Sequence, residues 1–199
     1  MGATSSVGAC LTRMLARRHH GRLTLVARNA QRLHALRDDL VSGGADAHAT
    51  LDMSDVRKAD LVVLLTSATD AVLRSEHLKP GAVVLDDTQP RNTDASLLDT
   101  RLDVTILDGG LVEIPGNYMR GSIGLPRGVA YACLAETLLL GLSGHRGHFS
   151  IGASTVDQAE HMVSLAQRYS HLGFHIAPPH SFSRPLNTPA PRSPQLSLA

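Results

Sequence analysis

Gly2-Ala-Thr-Ser-Ser-Val-Gly8 is the stretch of sequence that decides the fold. It leads directly into residues 7–18, where apolar side chains recur at helical spacing: Val7, Leu11, Met14 and Leu15. A glycine turn that opens a helix presents backbone N–H groups and the positive end of the helix dipole, and both favour an anion. We expect Gly2 to permit the tight turn and Gly8 to let the helix and the strand approach each other closely.

Short apolar segments alternate with helical segments along the rest of the chain. Strands are predicted at residues 23–27, 59–66, 82–85 and 104–107, and helices at residues 30–40, 70–75, 128–142 and 155–170, with Asn29 capping the first of these helices. This alternation predicts an α/β fold with a Rossmann-like, doubly wound parallel sheet and C-terminal helices. We expect residues 1–177 to form this domain and the Pro- and Ser-rich residues 178–199 to be a disordered tail.

The position of the glycine turn predicts an incomplete sheet. A turn of this kind normally follows a buried central strand, yet only Met1 precedes Gly2. We therefore expect the sheet to lack its first strand and to leave two neighbouring strands with unpaired backbone groups. The hypothesis that follows is that the chain is the C-terminal piece of a longer protein, with a separate N-terminal half as one candidate partner.

The composition argues against several classes of partner. Because 19 basic residues nearly balance 18 acidic ones, no overall field attracts nucleic acid or an anionic membrane. No apolar run approaches the roughly 20 residues of a membrane span, so we expect none. Two cysteines and the lack of a signal peptide favour the cytoplasm with reduced thiols. The eleven histidines lack acidic or thiol partners at ligand spacing, so we expect no metal site.

The surroundings of the turn favour a particular cofactor. Arg28 follows the second expected strand of the fold, where an NAD-specific domain would place an acidic residue on the ribose hydroxyls. A guanidinium at this position suits the 2′-phosphate of NADP, and we therefore expect NADPH. The expected cofactor site comprises Gly2, Thr4, Ser5, Ser6, Val7, Gly8, Arg28, Asn29, Thr66 and Ser67. Ser5 replaces the usual middle glycine, and its hydroxyl could donate a hydrogen bond to phosphate.

Each of these assignments has a plainer alternative. An ordinary strand-to-helix turn would use the same residue types as residues 2–8, and Arg28 could be a solvated side chain at a strand end. Cys133 follows a loop that contains glycine and proline and opens a helix, where backbone dipoles and Arg127 would favour a nucleophilic thiolate. The alternative for Cys133 is a buried helix residue, which is also how we interpret Cys10.

Several segments together resemble a known enzyme family. They are Gly2-Ala-Thr, Leu25-Val-Ala-Arg-Asn29, Arg32-Leu33, residues 85–90, Leu107-Asp-Gly-Gly-Leu-Val-Glu113 and Tyr131-Ala-Cys-Leu-Ala-Glu136. In this order, from residue 2 to about residue 176, the chain resembles the C-terminal half of long-chain acyl-[acyl-carrier-protein] reductases of the cyanobacterial, aldehyde-forming type. The resemblance implies that NADPH reduces a long-chain fatty acyl thioester, of acyl-carrier protein or coenzyme A, to a fatty aldehyde. It also implies that Cys133 accepts the acyl group as a thioester.

Other functions remain open at this point. A short-chain dehydrogenase would need a tyrosine followed four residues later by a lysine, but the chain has Ser122, Ala135 and Gly173 at that spacing after its three tyrosines. A catalytically inactive NADP-binding remnant or a regulatory module is a second hypothesis, because Ser5 departs from the glycine of the family. A purely structural partner protein is the third.

Overall fold

The computed structural model describes residues 1–18, 21–114 and 124–186. Its helices are α1 (Ser6–Arg18), α2 (Ala30–Ser42), α3 (Leu97–Thr100), α4 (Ala132–Leu142) and α5 (Val156–Arg168). Its strands are β1 (Leu23–Val26), β2 (Ala47–Thr50), β3 (Leu61–Leu64), β4 (Val83–Asp86), β5 (Thr105–Asp108), β6 (Leu111–Glu113), β7 (Val129–Tyr131), β8 (His175–Ile176), β9 (His180–Ser181) and β10 (Arg184–Pro185). None of the described helices is long and apolar enough to cross a membrane.

The first five strands are parallel and confirm the predicted α/β class. β1 pairs with β2, while β3, β4 and β5 form a second sheet in that order. β3 and β4 are short apolar runs, and the side chains of Leu64 and Val84 are completely buried. Parallel strands of this kind carry apolar residues toward both faces because helices and loops cover both.

Two apolar cores cover these strands. One contains Val62, Leu64, Val84 and Ile106 of the strands together with Leu73 and Leu97. The other contains Leu25 together with Leu33, Leu36 and Leu40 of α2. Packed side chains on both faces of the strands therefore hold the carboxyl ends of the strands in place.

Met1 lies between the two parallel sheets. Its carbonyl accepts a hydrogen bond of 3.0 Å from Leu65 N, and the next residue, Gly2, donates one of 2.9 Å to the carbonyl of Val26. The backbone of residues 1–2 thus bridges the ends of β1 and β3. Among the described residues, no strand pairs with the edges of β1 and β3 that face each other, as the expected lack of a first strand requires.

The last part of the described chain forms an antiparallel unit. β6 pairs with β7 on one side and with β8 on the other. α4 follows β7 directly and packs against α5, where Leu139, Met162 and Leu165 are buried together. The bond from Ala132 N to the carbonyl of Gly110, 2.7 Å long, extends the β6–β7 pairing into the turn that follows β5.

Side chains cap the starts of α2 and α5, and the first of these two caps was predicted. Asn29 Oδ1 accepts from Arg32 N at 2.9 Å at the start of α2, as the sequence predicts. At the start of α5, Thr155 Oγ1 accepts from Gln158 N, and Gln158 Oε1 accepts from Thr155 N. Such reciprocal caps satisfy backbone donors that no helical carbonyl can reach.

The predicted first helix is present as α1, but its larger apolar side chains do not form its buried face. Val7 is 54% exposed and Leu15 36% exposed, whereas the small residues Gly8, Cys10 and Thr12 are buried. Cys10 Sγ lies 3.3 Å from the carbonyl of Thr155. Because α1 approaches the turn and α5 closely, its contact face carries these small side chains and not Val7 or Leu15.

Two predicted helices need correction. Residues 70–75 form no helix, because Leu73 pairs with Thr93 in a parallel bridge and a 3-10 turn follows at Ser75–His77. The helix predicted from residue 128 begins only at Ala132, because residues 129–131 are held as strand β7 against β6. Pairing with a distant segment overrides the local preference in both places.

The tail prediction is wrong for residues 178–186. β9 and β10 form a hairpin there, and the side chain of Asp108 accepts hydrogen bonds from the backbone N–H groups of Phe182 and Ser183, at 3.0 and 2.6 Å. His180 is only 3% exposed. Residues 187–199 lie outside the described residues, so the rest of the predicted tail and the domain boundary stay predictions.

Candidate functional site

A cleft of about 590 Å³ opens at the carboxyl ends of β1 and β3. This is the edge where parallel α/β sheets bind their ligands. Seven of the predicted cofactor residues line the cleft: Gly2, Thr4, Ser5, Arg28, Asn29, Thr66 and Ser67. Its remaining lining is mostly apolar: Met1, Val26, Ala27, Arg32, Leu51, Met53, Ala68 and Val72. A ligand with an extended polar part and a flat apolar part would fit such a lining.

The glycines of the turn are required by close backbone contacts. Gly2 has a φ of 76°, and a Cβ at this position would lie 2.5 Å from the carbonyl oxygen of Leu65. A Cβ on Gly8 would lie 2.2 Å from the carbonyl oxygen of Gly2. The turn and the first turn of α1 are therefore in contact, which aims the N-terminal end of α1 at the cleft.

The hydroxyl of Ser5 stabilises the turn from within. Ser5 Oγ accepts from Gly8 N at 2.9 Å and donates to the carbonyl of Leu65 at 3.1 Å. A hydroxyl has one proton, so in this arrangement Ser5 has none left for a phosphate. Ser5 is thus placed as the cap of α1, and only its exposed surface lines the cleft.

Ser6, Val7 and Gly8 do not line the cleft. Ser6 Oγ bonds the carbonyl of Gly152 at 3.0 Å and accepts from Ser154 N at 2.8 Å, which ties α1 to the loop before α5. These residues form the N-terminal end of α1. They can act on a ligand only through that end of the helix.

Arg28 is the cation best placed to meet an anionic ligand. It is exposed at the end of β1 and lines the cleft, and its side chain has no hydrogen-bond or ion-pair partner within the described ranges. Its neighbour Arg32 also lines the cleft and donates from Nη2 to the carbonyl of Thr4 at 2.9 Å. Arg32 was missing from the predicted site, although its place in the first turn of the helix that follows Arg28 was a usable signal.

Thr66 lies on the opposite wall of the cleft and is held by Asn92. Thr66 Oγ1 hydrogen-bonds Asn92 Oδ1 and accepts from Ala68 N at 3.0 Å. The Asn92 side chain is completely buried and donates to the carbonyls of Ala68 and Asp70. Sequence reasoning missed Asn92, because only the folded chain brings it to the end of β3.

Cys133 is an exposed free thiol and is the second residue of α4. It does not line the cleft. The bond between Ala132 N and Gly110 O nevertheless holds the start of α4 beside the carboxyl end of β5. Cys133 and the cleft therefore belong to the same edge of the parallel strands, on the β5 side and the β1 side respectively.

Two carboxyl groups accompany this end of the sheet. Asp87, which follows β4, contacts the Gly109–Gly110 turn, where a Cβ on Gly110 would lie 2.2 Å from Asp87 Oδ1. Partial desolvation there raises the pKa of Asp87, and the carboxylates of Asp86 and Glu136 raise it further. Partial desolvation likewise raises the pKa of Glu136 on α4. Within the described residues, no group of three or more metal-ligating side chains is assembled.

Comparisons with known proteins support a relationship without fixing a family. No family model matches the chain. It is 28% identical over 181 residues to the long-chain acyl-[acyl-carrier-protein] reductase of Synechococcus elongatus (strain ATCC 33912 / PCC 7942 / FACHB-805), which covers 87% of this chain and 51% of that protein. It is also 30% identical over 124 residues to the aminotransferase PigE of Serratia sp. (strain ATCC 39006), covering 60% of this chain and 14% of that protein. The chain spans about half or less of the length of these curated relatives.

Proposed function

We propose that the chain binds NADPH at the cleft and uses Cys133 to reduce a long-chain fatty acyl thioester to a fatty aldehyde. The similarity to the Synechococcus acyl-[acyl-carrier-protein] reductase supports this, because a match over 87% of the chain must include Cys133. The single observation that carries the proposal is the exposed Arg28, which has no hydrogen-bond or ion-pair partner among the described residues and lies at the mouth of a cleft built on a glycine turn.

The cofactor part of the proposal rests on charge and shape. The N-terminal end of α1 favours a pyrophosphate, and Arg28 favours a further phosphate on the ribose next to the adenine. Leu51, Met53 and Val72 offer apolar surface for a flat ring. When it is bound, NADPH supplies the hydride for the reduction.

The acyl part of the proposal rests on Cys133. As a thiolate, its Sγ would attack the carbonyl carbon of the acyl thioester, the bond from that carbon to the carrier sulfur would break, and the carrier would leave as a thiolate. The acyl group would then be held on Sγ as a thioester. Reduction of that carbonyl by hydride and cleavage of its C–S bond would give the aldehyde and return Cys133 as a thiolate.

The strand order explains why a long cofactor would be needed. From β1 past Met1 to β3, β4 and β5 there are four spacings between strands, or roughly 19 Å at about 4.8 Å each. Arg28 follows β1, and α4 begins beside the end of β5. Only an extended ligand could contact Arg28 with one end and approach Cys133 with the other, which is what a dinucleotide offers.

Two measurements test the two parts separately. NADPH binding can be followed by the fluorescence of the reduced nicotinamide, with NADH as comparison. The acyl step can be followed by the intact mass of the protein after exposure to a long-chain acyl thioester. We expect one acyl group per chain, lost in Cys133→Ala and kept in Cys10→Ala, whose thiol is buried. An adduct that survives Cys133→Ala would contradict the role of Cys133.

A second candidate is a binding module without turnover. It is favoured by the position of Cys133 outside the lining of the cleft. NADPH binding without any acyl adduct or aldehyde would identify this function.

A further inference from the structure

A buried asparagine side chain lies directly behind one wall of the cleft. Asn92 is completely buried, and its Nδ2 donates to the carbonyls of Ala68 and Asp70 at 2.9 and 3.1 Å. Its backbone carbonyl accepts from Val72 N and Leu73 N, both at 2.9 Å. These bonds tie Asn92 to the segment that follows β3.

The carboxylate of Asp86 anchors the same asparagine to the end of β4. Asp86 is 4% exposed and accepts from the backbone N–H groups of Asn92 and Thr93, at 3.1 and 2.9 Å. It also accepts from the hydroxyl of Thr93 at 2.7 Å and from Thr88 N at 3.1 Å. A buried carboxylate with several donors is well satisfied where it is, so the backbone of Asn92 is held between the ends of β3 and β4.

The surroundings of the Asn92 amide determine where the proton of the Thr66 hydroxyl goes. Carbonyl oxygens only accept hydrogen bonds, so the amide atom that faces the carbonyls of Ala68 and Asp70 must be the nitrogen. The amide oxygen is therefore the atom beside Thr66 Oγ1. Because that oxygen also only accepts, the hydroxyl of Thr66 must donate to it.

One lone pair of the Thr66 hydroxyl is left for a ligand. A hydroxyl has one proton and two lone pairs. The proton goes to Asn92, and one lone pair accepts from Ala68 N at 3.0 Å. Within the described residues no group donates to the second lone pair, and Thr66 lines the cleft. Thr66 therefore offers an acceptor to the cleft and has no proton for a phosphate oxygen.

The position of Thr66 determines which part of a dinucleotide would reach it. Arg28 follows β1 and Thr66 follows β3, and these strands lie two strand spacings apart, or roughly 10 Å, with the backbone of Met1 between them. A 2′-phosphate at Arg28 and a pyrophosphate at the N-terminal end of α1 would leave Thr66 to the nicotinamide half. The neutral donors of that half are the hydroxyls of its ribose and the N–H groups of its carboxamide.

We infer that Asn92 holds the Thr66 hydroxyl as the acceptor for a neutral O–H or N–H donor on the ribose–nicotinamide half of NADPH. Thr66 makes the contact, and Asn92 is a positioning residue. The inference rests on the cofactor part of the proposed function and requires no acyl transfer.

The test measures the Kd of the full chain for NADPH by its fluorescence, and for 2′-phospho-ADP-ribose and adenosine 2′,5′-bisphosphate by displacement of NADPH. The bisphosphate lacks the ribose–nicotinamide half and is the internal reference. Thr66→Val should raise the Kd for NADPH about five- to tenfold, because a ligand donor loses its acceptor, and should change the Kd for the bisphosphate less than about twofold.

Two further variants serve as controls for Thr66→Val. Thr66→Ser keeps the hydroxyl and should bind all three ligands within about twofold of the wild type. Thr69→Val is the matched control, because Thr69 is exposed and does not line the cleft. Phospho-ADP-ribose distinguishes the two donors: Thr66→Val should weaken it together with NADPH if the donor is a ribose hydroxyl, and should leave it unchanged if the donor is the carboxamide.

The role of Asn92 is tested by a double-mutant cycle. Asn92→Ala should weaken NADPH but not the bisphosphate, and the double variant should bind NADPH no more weakly than Thr66→Val, because both residues act through one hydrogen bond. Additive effects would overturn the positioning role. If urea unfolding shows that Asn92→Ala is not folded, proton NMR of the wild type tests the same point. A hydroxyl proton held by Asn92 should give a slowly exchanging signal, and its absence would overturn the role of Asn92.

The outcomes separate this inference from the proposed function. NADPH binding that Thr66→Val leaves unchanged, or an equal loss of affinity for the bisphosphate, would overturn the inference and leave the proposed function in place. A wild-type chain that shows the expected Thr66 effect but forms no aldehyde would overturn the proposed catalysis alone. A wild-type chain that binds no NADPH would overturn both.

Discussion

Replacement of Arg28 by alanine is the perturbation that bears most directly on cofactor choice. The Arg28 side chain is exposed, and within the described residues it makes no hydrogen bond or ion pair that the substitution would break. We therefore expect Arg28→Ala to leave the free energy of unfolding unchanged to within about 0.5 kcal/mol. Any change in binding can then be attributed to the lost guanidinium.

The expected loss follows from the chemistry of the pair. Charge-assisted hydrogen bonds to a phosphate contribute about 1.5–3 kcal/mol, and exposure of Arg28 to water favours the lower end of that range. A loss of about 1.5–2 kcal/mol corresponds to a roughly 10- to 30-fold rise in the Kd for NADPH. NADH has no 2′-phosphate, so its Kd should change less than about twofold.

The assay is a titration of reduced nicotinamide fluorescence, with both cofactors on both proteins. Arg28→Lys keeps the charge but not the two-pronged geometry, and it should fall between the wild type and Arg28→Ala. Arg22→Ala is the matched control, because Arg22 is exposed and bonds Asp46 away from the cleft. Equal loss of NADPH and NADH affinity in Arg28→Ala would refute a 2′-phosphate role for this residue.

Three further predictions concern the scaffold of the site. Gly8→Ala places a methyl group 2.2 Å from Gly2 O, so we expect a loss of about 1–3 kcal/mol in unfolding free energy and weaker NADPH binding, measured by urea unfolding and titration. Asp108→Ala removes the partner of Arg91 and the acceptor that holds the β9–β10 hairpin, and calorimetry should show a loss of about 3 kcal/mol. The ammonium of Met1 has its pKa lowered from 8.0 to about 6, so between pH 6 and 8 the unfolded chain binds more protons than the folded one. Urea unfolding should show that this group makes the chain about 3 kcal/mol more stable above pH 8 than below pH 6.

Each of these has a matched control. Gly141→Ala, in α4 with open space around the added methyl group, should be neutral or stabilising, and equal effects at both glycines would contradict the close contact at Gly8. Asp39→Ala breaks the exposed pair with Arg13 and should cost less than about 1 kcal/mol. An N-acetylated chain lacks the titrating amine, and an unchanged pH dependence after acetylation would exclude Met1 as its source.

Local signals in the sequence predicted much of the fold. The Asn29 cap and the spacing of Leu33, Leu36 and Leu40 predicted α2, and all three leucines are buried. The apolar run of β3 predicted a buried strand in the same way. In these segments the decisive interactions are formed within a few residues, so a local pattern contains the information.

Elements that depend on distant partners were missed. β2 reads Ala-His-Ala-Thr, which has little strand preference, and it is a strand because it pairs with β1. The hairpin after residue 178 is held by Asp108, which lies about seventy residues earlier in the chain. The local sequence indicates neither the pairing of β2 with β1 nor the contact of the hairpin with Asp108.

The candidate site was also predicted in part, because local signals indicated some of its features and others depend on the folded chain. Residue types and their positions after strands indicated the glycine turn and Arg28, and the cleft brings these together. The local sequence does not determine which groups a hydroxyl contacts. It therefore could not show that the hydroxyl of Ser5 caps α1 and is not available to a ligand. The distance between Cys133 and the cleft also depends on how β6 and β7 turn the chain back.

The most direct test of the proposed function is the stoichiometry of a single reaction mixture. The chain is incubated with NADPH and a long-chain acyl thioester, while NADPH oxidation is followed by absorbance and aldehyde by mass spectrometry. The account predicts one NADPH oxidised for each aldehyde formed, and neither in Cys133→Ala. NADPH that binds to the cleft but is not oxidised, with no aldehyde formed, would contradict it.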